Sequence, residues 1–84
     1  MAEVYTRLSE MGQIFGGGNP IKVYAQSYTA AATDTITIPG INNLISCVVT
    51  GNDVTAPAGV VVASNVPTIT TAVGDVNNVL ILYN

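Results

Sequence analysis

The sequence predicts an all-β domain, a small antiparallel β-sandwich or barrel of about six strands preceded by a short N-terminal helical or extended arm. Three observations carry that expectation. From Ile21 onward, β-branched runs of strand length are separated by Gly, Pro, Asn and Asp. Thr35-Ile36-Thr37-Ile38 alternates as a half-buried strand does. Before Pro20 the apolar spacing changes, and the segment ends in Gly16-Gly17-Gly18.

In that first segment Val4, Leu8, Met11 and Phe15 recur at steps of four, three and four, which predicts one face of a helix. Glu3 suits its N-terminus, and Gly12 or the triglycine run followed by Asn19-Pro20 supplies the stop. A helix of about ten residues is marginal in water, so its stripe must dock on the β core or on a partner. The expected division is an arm with a glycine hinge at 1–20 and a β domain at 21–84, with Val4, Leu8, Met11 and Phe15 as the partner-binding residues.

Within the β domain, strands are expected near 21–30, 34–38, 44–50, 59–64, 67–72 and 78–83. Pro39-Gly40 with Asn42-Asn43 turns the chain after the second of these. Leu44-Ile45-Ser46-Cys47-Val48-Val49 is apolar on both faces, as in a central strand or one whose outer face a partner covers. Gly51-Asn52-Asp53 opens a longer loop running through Pro57 to Gly59. Asn65 sits in a tight connection, Pro67 marks the start or edge of a strand, and Gly74-Asp75 turns into the last one. Thr35-Ile36-Thr37 with Ile41-Asn42-Asn43-Leu44-Ile45 is echoed by Thr68-Ile69-Thr70 with Val76-Asn77-Asn78-Val79-Leu80, read here as similar turn chemistry.

Composition narrows the function. Only 8% of residues are charged, against about 25% in soluble domains. Both cations, Arg7 and Lys22, lie early, and residues 23–84 carry only Asp34, Asp53 and Asp75. Without a basic patch there is no basis for nucleic-acid binding. No apolar run approaches the roughly 20 residues of a membrane helix, so no membrane partner is expected. The first residues, Met1-Ala2-Glu3-Val4-Tyr5-Thr6-Arg7, lack the basic and apolar regions of a secretory signal, which suggests use without Sec export.

With 84 residues and a single cysteine, neither a large core nor an internal disulfide is available, and self-association as a trimer or dimer is the remedy left. The chain has no histidine, which removes the side chain best suited to acid–base work near neutral pH. Cys47 lies in an apolar strand and reads as a buried core thiol. Asp34, Asp53 and Asp75 neighbour turn residues and read as backbone caps. The triglycine run lacks the Lys-Ser/Thr of a phosphate loop, and no acid pattern resembles a calcium loop. Tyr24 and Tyr28 share one side of a strand, as core or interface packing. The reading is therefore non-enzymatic, with no catalytic residues, cofactor or metal.

The early arm, the glycine hinge and the charge-poor, Thr/Val/Asn-rich β core resemble small virion proteins of tailed phages, and among them capsid decoration (cement) proteins. The resemblance spans the whole chain but is one of layout and composition, with no motif through which a family site carries over. It implies a virion location after synthesis in the host cytoplasm, and a major capsid protein as partner. Its implied role is to bind the outside of the shell and stabilise capsomer contacts, often as trimers. The alternatives are a tail, collar or fibre-associated module, or a carbohydrate- or receptor-binding β module.

Overall fold

A computed structural model describes residues 2–16, 19–51 and 59–84, with 13–16 and 19 described by backbone alone. Gly17 and Gly18 of the expected hinge and the loop through Asp53 and Pro57 lie outside the described residues. The strands are β1 (Ala2–Glu3), β2 (Glu10–Gly16), β3 (Asn19–Thr29), β4 (Thr33–Thr35), β5 (Leu44–Gly51), β6 (Gly59–Ala63), β7 (Val66–Thr70) and β8 (Val76–Tyr83). They form two four-stranded sheets, ordered β1-β4-β7-β6 and β2-β3-β8-β5. Every pairing is antiparallel except β1 with β4. The molecule is a β-sandwich, with eight strands among the described residues where about six were expected.

Each of the six expected strands has a counterpart, five of them close to the expected bounds; the one expected at 34–38 is only Thr33–Thr35, and the two additional strands come from the N-terminal segment. The helix expected from Val4 to Phe15 does not form. A single 3-10 turn, Arg7–Ser9, leads into β2, which pairs with β3 from Glu10↔Tyr24 to Gly16↔Asn19. Pairing satisfies a backbone that a short solvent-exposed helix cannot hold in order. Of the two readings of the 44–49 run, the central strand is excluded: among the described residues β5 pairs only with β8, at the edge of its sheet.

Strand alternation sorts the side chains. In the second sheet, Tyr24, Ile81 and Cys47 stand side by side facing inward, while Ala25, Leu80 and Val48 stand side by side facing out. Tyr24, Tyr28, Ile36, Ile38, Ile69, Val79, Ile81 and Tyr83 form the core between the sheets. Ile36, Ile69 and Ile81 are fully sealed, each burial favouring the fold by about 1.5–3 kcal/mol. Tyr24 and Tyr28 thus serve as core residues.

The two echoed segments lie beside each other. β4 runs antiparallel to β7 with Thr35 against Thr68, and β5 runs antiparallel to β8, so each strand pairs with its counterpart. At one end the connections are knitted by Ala30 N–H to the Asp75 carbonyl (2.7 Å), Gly74 N–H to Ala30 (2.9 Å) and Thr71 N–H to Ala32 (2.9 Å). Asp34 caps this turn as expected, accepting Ala31 N–H at 3.0 Å from a fully buried position. Asn77, also buried, donates to Thr71 Oγ1 (2.8 Å) and the Tyr28 hydroxyl (3.3 Å).

Between β6 and β7, Ser64 and Asn65 take φ of 50° and 63°, the left-handed pair of a type I′ hairpin turn. Pro67 is the second residue of β7, and its carbonyl accepts Ile36 N–H, so the side of the chain lacking an N–H faces the end of β4. The Asn65 amide sews this turn to the start of β5, accepting Leu44 N–H at 3.1 Å and donating to the Asn42 carbonyl at 3.0 Å. Replacing Asn65→Gly keeps the backbone conformation accessible but removes both bonds, and should cost about 1–2 kcal/mol in urea unfolding. A variant as stable as the parent would show that the amide does not hold these elements together.

Candidate functional site

The N-terminal segment lies along one edge of the sandwich. Val4 and Tyr5 pack against the core, and the Tyr5 ring stacks on Tyr24 with centroids 5.8 Å apart. Val4 N–H bonds the Thr35 carbonyl at 2.9 Å, and Thr6 N–H bonds the Tyr24 hydroxyl at 3.1 Å. The Tyr24 hydroxyl in turn donates to the Gln26 side chain. The Glu3 carboxylate gathers Thr37 N–H (2.9 Å), the Thr37 hydroxyl (2.5 Å) and Tyr5 N–H (3.2 Å). Glu10 does the same from the other side, its two oxygens accepting the hydroxyls of Tyr5 (2.5 Å) and Tyr83 (3.0 Å).

These contacts move the titrations. The Tyr5 hydroxyl is the main cause that holds the Glu10 carboxyl below its ordinary value, helped by Tyr83 and by the charges of Arg7 and Lys22. Partial burial pushes Glu3 up, but hydrogen bonds from Thr37, Tyr5 and Thr35 outweigh it and leave the group lowered. Burial, with the Glu10 bond added, raises Tyr83 to about 12.

The four residues expected on one stripe separate. Val4 docks on its own core, whereas Leu8 is 95% and Met11 65% exposed; the Phe15 side chain lies outside the described residues. Besides Leu8 and Met11 there is a second exposed apolar surface, which the stripe did not include. On the outer face of β3, β8 and β5, Val48 lies directly opposite Leu80 and both are exposed, with half-buried Val23, Ala25 and Leu82 beside them. No charged residue stands on that face of these three strands. The two-sided apolarity of 44–49 was the signal for it.

Arg7, Glu10, Gly12, Lys22 and Tyr83 line a cleft of about 270 Å³ that holds both cations of the chain. It offers charged and hydroxyl groups suited to holding a polar ligand. Cys47 faces the core opposite Ile81, but it is half-buried and not sealed as expected; burial raises its pKa, which disfavours the thiolate. Among the described residues, no three Cys, Asp or Glu side chains are grouped to hold a metal ion. No protein-family model, curated protein or solved structure matches the chain.

Two measurements check this description. Cys47→Ala should lower stability by only about 1 kcal/mol, since a small, half-buried thiol leaves little void; a loss several times larger in denaturant unfolding would contradict the placement. Glu3 and Glu10 have lowered folded-state pKa values, so their contribution is present above the unfolded value and is lost as pH falls through the folded one. Tm should therefore drop between about pH 5 and pH 3, and Glu10→Gln should flatten that drop. Parallel curves for parent and variant across the window would remove Glu10 from the account.

Proposed function

We propose that the chain is a non-enzymatic structural protein of a virion, a capsid decoration module that binds the outside of the shell and stabilises contacts between capsomers. The observation that carries the reading is the uncharged outer face of β3, β8 and β5, where Val48 and Leu80 stand exposed and opposed. Contiguous apolar surface on a small domain marks an interaction site. Leu8 and Met11 add exposed apolar side chains at the N-terminal side, where the arm was expected to meet its partner. The layout resemblance to cement proteins supplies the kind of assembly, and a lattice presents many copies of one site at high local concentration.

A second reading has one observation in its favour. The Arg7, Glu10, Lys22 and Tyr83 cleft is polar and suits a carbohydrate or receptor ligand. Arg7→Gln with Lys22→Gln separates the two, because it should leave shell binding intact while removing any signal on a glycan array.

Leu80→Asp and Leu8→Asp should each preserve Tm within a few degrees, since both side chains already face water, yet weaken rebinding to particles stripped of the chain by about tenfold or more. Electron microscopy of labelled virions should place the chain on the outer shell at capsomer contacts. Label confined to the tail would favour the tail, collar or fibre alternative, and absence of the chain from purified virions would overturn the reading.

A further inference from the structure

The four sheet edges differ in how they are protected. β1 is two residues long and carries Glu3. β2 starts on Glu10 and is bulged between Glu10 and Gly12, where Gly12 has φ of 105°. β5 is bulged between Leu44 and Ser46, and the Leu44 N–H is already given to Asn65. Shortness, charge and bulges are the devices that keep an edge from accepting another strand. β6 has none of them. Gly59–Ala63 is regular along its ladder with β7, contains no charge and no proline, and pairs on its other side with no described residue.

Which groups of β6 point outward follows from Pro67. Its carbonyl faces Ile36, away from β6, so its partner Val62 exchanges no hydrogen bond with it and turns its own N–H and C=O outward. By alternation Val60 does the same. The side chains add a second constraint. Val60 and Val62 stand opposite the sealed Ile69 and Pro67 on the core side of the sheet, yet they are 38% and 47% exposed. Val61 stands on the other face at 66%.

We propose that a second copy of the chain adds to β6, antiparallel, about a two-fold axis through Val61. The order Gly-Val-Val-Val-Ala reads nearly alike in both directions, so this register sets Val60 against Val62 of the partner subunit and Gly59 against Ala63 of the partner subunit. Val60 and Val62 carry the outward groups, so each of the two symmetric pairs exchanges a pair of backbone hydrogen bonds. Val61 meets its own counterpart in the close, non-hydrogen-bonded type of pair, with Cα atoms about 4.5 Å apart. The inward valines of both copies then stack and close the open side of each core.

A five-residue edge with three partly exposed valines buries less than the roughly 1,200 Å² of a stable interface, which makes this a weak, concentration-dependent dimer. It closes instead of growing into a fibre, because an isologous contact uses up its own patch and the far edge of the same sheet is the short, charged β1. The contact deepens the reading of the chain as an assembly module, which had left trimer and dimer open, and selects the dimer at this edge.

The test is made on the free protein. In a Cys47→Ala background, Val61→Cys should oxidise to a covalent dimer about tenfold faster or more than Val60→Cys or Leu8→Cys, because only position 61 faces itself within disulfide range. Leu8→Cys, at a 95% exposed position, reports random collision. Sedimentation equilibrium of the parent should show a monomer–dimer equilibrium that Val61→Lys weakens about tenfold or more without lowering Tm. Equal crosslinking at the three positions, or a Val61→Lys protein that associates like the parent, overturns the proposal. Neither readout involves a shell, so failure here and failure of the virion reading are separate results.

Discussion

Because β8 hydrogen-bonds on both sides, to β3 along Lys22–Thr29 and to β5 along Leu44–Gly51, its position decides where every inward side chain of the second sheet stands. Asn77, Val79, Ile81 and Tyr83 alternate inward along it, and all four are buried. Slipping β8 by one residue would turn that set outward and bring Leu80 and Leu82 in, so the core and the outer apolar face are fixed by the same register. The first sheet closes over it through Ile36, Ile38 and Ile69. The N-terminal segment depends on β8 as well, since Glu10 is held by the Tyr83 hydroxyl and Tyr5 stacks on the neighbouring Tyr24.

Most strands from Ile21 onward were legible because they have simple signatures, such as the β-branched run at Gly59–Ala63 and the turn residues Asn65 and Gly74, whereas the alternating 34–38 run misled in part, since its strand ends at Thr35. The N-terminal segment was misread for a physical reason. Of the four stripe positions only Met11 and Phe15 lie in β2, while Val4 follows β1 and Leu8 sits in the 3-10 turn, so the steps of four, three and four cross different backbone conformations and only mimic a helix face. Pairing across a hairpin is not written in local spacing, and neither was the parallel contact of Ala2–Glu3 with β4. The stripe is not one face. Leu8 and Met11 are exposed, but Val4 belongs to the core because Tyr5 and Glu3 anchor the chain around it.

Scarcity of charge shapes the whole surface. Hydroxyl and amide side chains take over tasks that ion pairs perform elsewhere: Thr37 satisfies Glu3, tyrosines satisfy Glu10, and Asn65 joins two elements. Neutral partners still fix the carboxylates, because a hydroxyl that donates to a charged acceptor makes a stronger bond than one between neutral groups. The two cations stay available in the cleft, close enough to Glu10 to act on its charge, while the tyrosines supply its direct hydrogen bonds.

A surface built this way has no lysine to place on its edges, so apart from Glu3 and Glu10 the protection comes from backbone geometry. Each geometric guard also has a structural task. The β2 bulge is where the strand turns out of the 3-10 turn beside Glu10, and the β5 bulge sits where Asn65 takes the Leu44 N–H. Guards of that kind exist only where the fold already bends. β6 keeps a regular register because the I′ turn hands it directly to β7, with no bulge along that ladder. Regularity at this edge therefore comes from the two-residue turn at Ser64-Asn65, no described residue pairs beyond it, and the valines that stand across from Ile69 and Pro67 are left half in water.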